Sequence, residues 1–219
     1  MNIALINTSP KTTESASGIM LGDLQKLFTG EHNTKDFILH SHEVSDDMID
    51  ELRHFTVWVF AFPLYVDGVP SHLLRCLRQF EVAGHKDKGD GINGIHIYVI
   101  VNCGFYEGAQ TKNALAIMEN WCVRSGMEWG MGIGFGGGAP LSVMKSIPLG
   151  RGPKSALGKA FAMLKDAIVS QATRSNLYVS ISYPKFLYKL TAEIGWWMLI
   201  KSNGGKARDL DRIRACNMD

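Results

Sequence analysis

Eleven residues near the start of the chain, Asn7-Thr8-Ser9-Pro10-Lys11-Thr12-Thr13-Glu14-Ser15-Ala16-Ser17, gather six hydroxyl side chains, an amide and a cation into one short segment. The apolar run Ile3-Ala4-Leu5-Ile6 before them reads as a buried first strand, and Ile19 to Phe28 after them carries apolar residues at helical spacing. A hydroxyl-rich loop between a strand and a helix suits anion binding, because the free N–H groups and the positive end of the helix dipole meet there. Ser9, Thr12, Thr13, Ser15 and Ser17 offer hydroxyl donors and Lys11 a charge. The same residue types also make an ordinary turn and helix N-cap. On this loop alone both readings stand.

The elements that must position the loop alternate along the chain. Asp36 to Leu39 reads as a second strand and Asp46 to Arg53 as a short helix. Val57 to Phe62 is a continuous apolar run, as in a strand covered on both faces, and Pro63 ends it. Ser71 to Phe80 reads as a helix, Ile95 to Val101 as a fourth strand, Ala109 to Ser125 as a helix, Glu128 to Ile133 as a fifth strand and Ser155 to Gln171 as a helix. This alternation predicts an α/β three-layer sandwich with a parallel five-stranded sheet in the flavodoxin-like order 2-1-3-4-5. Crossovers should be right-handed, and ligands should bind beyond the carboxyl ends of the strands near the switch point.

That rule singles out two further loops. Pro63-Leu64-Tyr65-Val66-Asp67-Gly68-Val69-Pro70 sets two large residues, Leu64 and Tyr65, outside the sheet between stiffening prolines. Asn102-Cys103-Gly104-Phe105-Tyr106-Glu107-Gly108 holds two aromatics, an amide and a glycine that permits close backbone approach. Each loop alone could be a plain surface turn. A phosphate loop with two aromatic loops on the same edge describes a site for a mononucleotide with a large flat ring.

At these residues the chain resembles a known family. Asn7-Thr8-Ser9-Pro10-Lys11, with Ser15 and Ser17 at the helix entrance, resembles the Asn-Gly-Ser-Pro-Arg phosphate loop of the flavodoxin-like, FMN-dependent NAD(P)H oxidoreductases. Phe62 to Pro70 is similar to that family's second flavin loop, and Asn102 to Glu107 to its third. The resemblance covers about residues 1–175, leaving 176–219 as a C-terminal extension. Thr8 stands where the family has glycine, and Lys11 where it has arginine, which keeps the charge but gives up bidentate phosphate contact.

The resemblance implies bound FMN. Ser9, Lys11, Ser15 and Ser17 should hold its phosphate; Pro63, Leu64, Tyr65 and Val66 should flank the isoalloxazine ring; Asn102, Gly104, Phe105 and Tyr106 should meet its other edge. It further implies NADPH or NADH as electron donor and a small acceptor such as a quinone, flavin or nitroaromatic. The flavin carries the redox chemistry, so no side-chain acid or base is obligatory. Tyr106, Asp67 and His72 are the nearest proton-donor candidates, each with a structural alternative. The rival functions are an electron carrier of the same fold, or a flavin-binding, membrane-docked module without turnover of its own.

Other signals compete less well. Gly132-Ile133-Gly134-Phe135-Gly136-Gly137 formally contains G-x-G-x-x-G, yet Pro140 and Pro148 interrupt the residues after it and Asp166 falls inside a helical pattern. A flexible cover or plain loop glycine is expected there, with Met144 to Lys154 as a mobile part of the substrate entrance. The acidic phosphoacceptor and metal ligands of response regulators are missing, Pro63 and Asn7 standing in their places. No G-x-S-x-G elbow supports a serine hydrolase. Cys103 reads as a small buried thiol or a redox group; the seven histidines lack metal spacing, and His40 and His42, on a strand end, are expected to be solvated.

The four cysteines are scattered without C-x-x-C spacing, as in a reducing, cytoplasmic setting. Met1 leads directly into the first strand, with no expectation of a signal peptide, and no apolar run has membrane-spanning length. The formal net charge is +2 and no long basic run points to nucleic acid. After Gln171 the character changes: Tyr183 to Lys201 reads as an amphipathic helix, stopped by Asn203-Gly204-Gly205, and Ala207 to Arg214 as a short charged helix. From Tyr183 onward the net charge is +3. This extension is expected to pack on the domain or on a symmetry mate, making a homodimer, to dock on a membrane surface, or to serve as a lid.

Overall fold

The computed structural model describes residues 1–86, 94–206 and 208–209. Six parallel strands form the sheet: β1 (Asn2–Asn7), β2 (Asn33–Ile38), β3 (Val57–Pro63), β4 (His96–Cys103), β5 (Glu128–Gly136) and β6 (Leu177–Ser180). Their order is β2-β1-β3-β4-β5-β6. The helices are α1 (Ala16–Gln25), α2 (Asp46–Leu52), α3 (Ser71–Lys86), α4 (Lys112–Ser125), α5 (Ser155–Val169) and α6 (Lys185–Ser202).

Strands β3 and β4 are rich in apolar side chains and are buried nearly end to end, as two covered faces require. On one face Trp58, Phe60 and Phe62 of β3 pack with Leu73, Leu77 and Phe80 of α3 and Met118 and Trp121 of α4. The polar ends of the two tryptophans find carbonyls: Trp58 Nε1 donates to Leu52 O (3.1 Å) and Trp121 Nε1 to Leu77 O (2.9 Å). On the opposite face the Tyr98 hydroxyl of β4 donates to Ala167 O of α5 at 2.8 Å. The register Asn7↔Ala61 brings the carboxyl ends of β1 and β3 level, and Pro63↔Asn102 does the same for β3 and β4.

The expected five-strand sheet is corrected to six. The added strand, β6, is four residues long and pairs with Ile133 to Gly136 of β5. So short an edge strand carries little apolar signal, and it lies in a segment read as extension. The fold therefore divides at a later point than residue 175: residues 1–182 form one compact unit and 183–219 a second. Strand β5 also runs on to Gly136 rather than ending at Ile133. Most of the glycine-rich stretch is thus strand interior, not a flexible cover or a loop. A Cβ at Gly134 would collide with Thr111 Oγ1, and one at Gly136 with the Tyr106 carbonyl, so these glycines let the turn before α4 lie directly on the sheet.

In the second unit α6 ends at Ser202 with Asn203 as its C-cap, and the Gly205 N–H returns to Ile200 O at 2.9 Å. The helix expected over Ala207 to Arg214 falls outside the described residues, 208 and 209 apart.

Candidate functional site

The hydroxyl-rich loop leaves β1 at Asn7, whose amide ties its two ends together. Asn7 Oδ1 accepts from Ser9 N (3.1 Å) and Asn7 Nδ2 donates to Ser15 Oγ (3.3 Å). Ser15 is the N-cap of α1, with extended backbone (φ −73°, ψ 146°), and its Oγ also accepts from Gly18 N at 3.0 Å. Ser17 Oγ accepts from Asn102 Nδ2 at 2.9 Å, and Ser9 Oγ from Lys11 N at 3.2 Å. The turn-and-cap reading of this loop therefore holds. It does not displace the anion-binding reading, because a hydroxyl that accepts keeps its own O–H to donate. Among the described residues nothing accepts from the hydroxyls of Ser9, Ser15 or Ser17. Helix geometry likewise leaves the Ala16 and Ser17 N–H groups without intrahelical acceptors.

Two histidines hold this loop by its carbonyls. His40 Nδ1 lies 2.6 Å from Ser9 O and His72 Nε2 3.1 Å from Thr8 O. Burial holds the His72 imidazole below its ordinary pKa, which suits a neutral ring donating one N–H. The expectation that His40 is solvated is thus corrected: it is half-buried and bonded, whereas His42 is exposed beside Glu43. Thr8, in the place of the family's glycine, is buried, and both its N–H and its hydroxyl reach Ala61 O at 2.9 and 3.3 Å.

The loops converge on a pocket of about 260 Å³ at the carboxyl edge of the sheet. Nine of the residues expected at a site line it: Ser9, Lys11, Ser15, Ser17, Pro63, Leu64, Tyr65, Asn102 and Gly104. Val66, Phe105 and Tyr106 do not. Val66 sits at the tip of a tight turn closed by reciprocal bonds between Tyr65 and Gly68 (3.0 and 2.9 Å), with left-handed φ at Val66 (44°) and Asp67 (58°). Its side chain is fully exposed, outside the pocket. Phe105 is exposed at the rim and Tyr106 half-buried.

Asn102 is the buried centre of the arrangement. Its amide donates to Ser17 Oγ and, at 3.2 Å, to Phe62 O, while its carbonyl accepts from Leu64 N at 2.7 Å. One residue thereby joins the entrance of α1 to the end of β3. Cys103 beside it is buried, which pushes its thiol pKa up, and its Sγ lies 3.7 Å from Phe105 O. That environment keeps it a protonated thiol rather than a reactive thiolate.

The sequence reading missed the wall made by the segment after β5. Gly138, Ala139 and Ser142 line the pocket, and Gly137 N and Gly138 N bond to Phe105 O (2.6 Å) and Cys103 O (2.8 Å). This loop leaves the carboxyl end of the strand next to β4, so the edge rule alone would have included it. Residues 144–154, expected to be mobile, are tied to α1 and the loop before it. Lys145 Nζ meets Glu14 Oε1 at 2.6 Å, and the buried Lys154 Nζ meets Asp23 Oδ2 at 2.5 Å. Lys145 holds the Glu14 carboxyl below the ordinary carboxylate range, and so neutralises the acidic group that lines the pocket.

Two larger grooves, about 910 and 630 Å³, lie along α3–α4 and α2–α3. They are helix-flank grooves and share no lining residue with the pocket at the strand ends. Among the described residues no group of His, Cys, Asp and Glu is placed to hold a metal ion.

No protein-family model matches the chain, and no curated protein matches it by sequence. Solved structures do align with it. The apo form of the NADH:FMN oxidoreductase EMOB is 12% identical, over 77% of this chain and 89% of its own, with a TM-score of 0.55. The general stress protein 14 of Treponema denticola, in complex with FMN, is 13% identical over 77% and 99%, with a TM-score of 0.55. The Trp repressor binding protein of Bacillus subtilis is 17% identical over 62% and 84%, with a TM-score of 0.51. Likeness at these identities is likeness of fold, and with the strand order above it establishes that residues 1–182 adopt the flavodoxin-like fold.

Proposed function

We propose that this chain is an FMN-dependent oxidoreductase that draws electrons from NADPH or NADH and delivers them to a small acceptor. The observation that carries the reading is the set of spare donors at the entrance of α1. Three hydroxyls, from Ser9, Ser15 and Ser17, have their acceptor sites engaged and their O–H groups left over, beside Lys11 and the first N–H groups of the helix. That donor set matches the three acceptor oxygens of a phosphate monoester.

FMN fits the rest of the site in kind. The pocket is smaller than the roughly 300–1,000 Å³ of most small-molecule sites, so a molecule as large as FMN would extend past it, over a rim where Tyr65 and Phe105 are exposed. Bound FMN would supply the redox chemistry between a nicotinamide and a quinone, flavin or nitroaromatic. The protein's part is to bind and orient: Asn102 fixes the hydroxyl of Ser17, and His40 and His72 fix the loop carbonyls so that its donors face the pocket. Of the candidate proton donors, His72 is committed to Thr8 O and Asp67 to the outer turn.

The test is the visible spectrum of the purified protein incubated with FMN, before and after anaerobic NADPH or NADH. A bound flavin that bleaches with either nicotinamide is the expected result. A flavin that binds and is bleached by neither points to the electron carrier instead. Failure to bind FMN leaves the loop a turn and a cap. Ser17→Ala removes one charge-assisted hydrogen bond and should weaken FMN binding by about 10–100-fold.

A further inference from the structure

Helix α6 spans eighteen residues, Lys185–Ser202, and none of them is buried. Phe186, Trp196 and Met198 are 70%, 59% and 68% exposed, and Leu190, Ile194, Trp197 and Leu199 are exposed too. A surface of this kind needs a cover. The arrangement of the residues says which. Between Ile194 and Ile200 six of seven consecutive positions are large and apolar. At 3.6 residues per turn their side chains leave the axis in every direction. A protein partner covers a stripe, as the seam of a helix pair does. A headgroup layer, into which an apolar end can sink, covers sides that a single seam leaves bare.

The charges agree with that phase being a lipid interface. Residues 183–219 carry seven Lys and Arg against four Asp and Glu, whereas the first 182 carry sixteen against seventeen. The whole positive excess of the chain therefore lies in this extension. Lys185 and Lys189 lie one turn apart on α6, and Lys201, Lys206 and Arg208 follow its apolar end. Trp196 and Trp197 add the aromatic rings favoured at headgroup depth. The helix does not cross a bilayer: among the described residues no helix is long and apolar enough.

We infer that α6 is an interfacial anchor that lays its apolar end into the surface of an anionic membrane, with its lysines at the headgroups. The inference is independent of the flavin site.

The experiment is flotation of the full chain with phosphatidylcholine vesicles, with and without phosphatidylglycerol, paired with light scattering of the protein alone. The expected result is flotation with the anionic vesicles only, and its loss in the Trp196→Ser/Trp197→Ser variant. Lys189→Gln/Lys201→Gln should lower partitioning about thirtyfold, about fivefold for each lysine. Flotation to the same extent with both vesicle types, or with neither, overturns the inference. An oligomer of the free chain that dissociates in the tryptophan variant, together with no flotation, would assign α6 to contact with a second copy.

Discussion

Lys154→Met is the perturbation that best separates the segment walling the pocket from α1. The Lys154 side chain is 1% exposed and its partner Asp23 6%, with Nζ–Oδ2 at 2.5 Å. Lys154 also donates to Ile147 O at 3.2 Å. Removing one partner of such a pair leaves a buried, uncompensated charge, which costs about 3–5 kcal/mol. Asp23 keeps one other partner, as Lys26 Nζ lies 3.1 Å from its Oδ1, but Lys26 is itself mostly exposed. The loss should therefore fall near the lower figure, about 3 kcal/mol, and lower the melting temperature by about 6–12 °C. Asp23→Leu/Lys154→Met removes both buried charges, leaving the Ile147 carbonyl without its donor and Lys26 to water, so it should lie within about 1–2 kcal/mol of the parent. Urea unfolding of the four proteins, with Asp23→Leu completing the cycle, measures the coupling. FMN titration should show weaker binding in Lys154→Met, since Ser142 and its neighbours lose their tether to α1. A single variant within about 1 kcal/mol of the parent, or a double variant that loses the sum of the two singles, would refute the reasoning.

The other expectations concern the frame around the site. Replacing Val66-Asp67 by Asn-Gly relieves a β-branched residue held at φ 44° and should stabilise the protein by about 1 kcal/mol in urea unfolding; no gain would mean the turn is not strained. Gly134→Ala drives a methyl group into Thr111 Oγ1 and should cost several kcal/mol or prevent folding, read by circular dichroism and expression. Burial pushes the Tyr98 hydroxyl up to about 12 from an unfolded value near 10. The native state thus holds that proton more tightly, and this stabilisation is complete below about pH 10 and lost on the way to pH 12, on the order of 2 kcal/mol. Tyr98→Phe should be less stable than the parent at pH 8, and the gap should close at alkaline pH.

Legibility in the sequence depends on where each signal resides. The order of the first five strands was legible because Ile3 to Ile6, Val57 to Phe62 and Ile95 to Val101 are apolar almost without interruption, and a doubly covered parallel strand favours that. The site was legible where side-chain type carries the signal: nine of the twelve expected residues meet in one pocket. It was illegible where backbone geometry carries it. The resemblance set Val66 beside the ring, but in a turn of left-handed φ its side chain is fully exposed, outside the pocket. Gly138 and Ala139 have no functional group to announce them, and the segment reaches the pocket through backbone bonds to Cys103 and Phe105. The Lys154–Asp23 pair spans 131 residues of sequence, and nothing local marks that lysine as different from its exposed neighbours. The same distinction explains the glycine run of β5. Its G-x-G-x-x-G spacing looks like a phosphate loop to a pattern, but period two in a strand puts Gly134 and Gly136 on one face, where Thr111 and the Tyr106 carbonyl press against the sheet. Glycines there serve close packing, and that packing sets the turn before α4, hence Phe105 and Tyr106, at the edge of the site. A substitution that restored a Cβ at Gly136 should therefore disturb the pocket rim as well as the core.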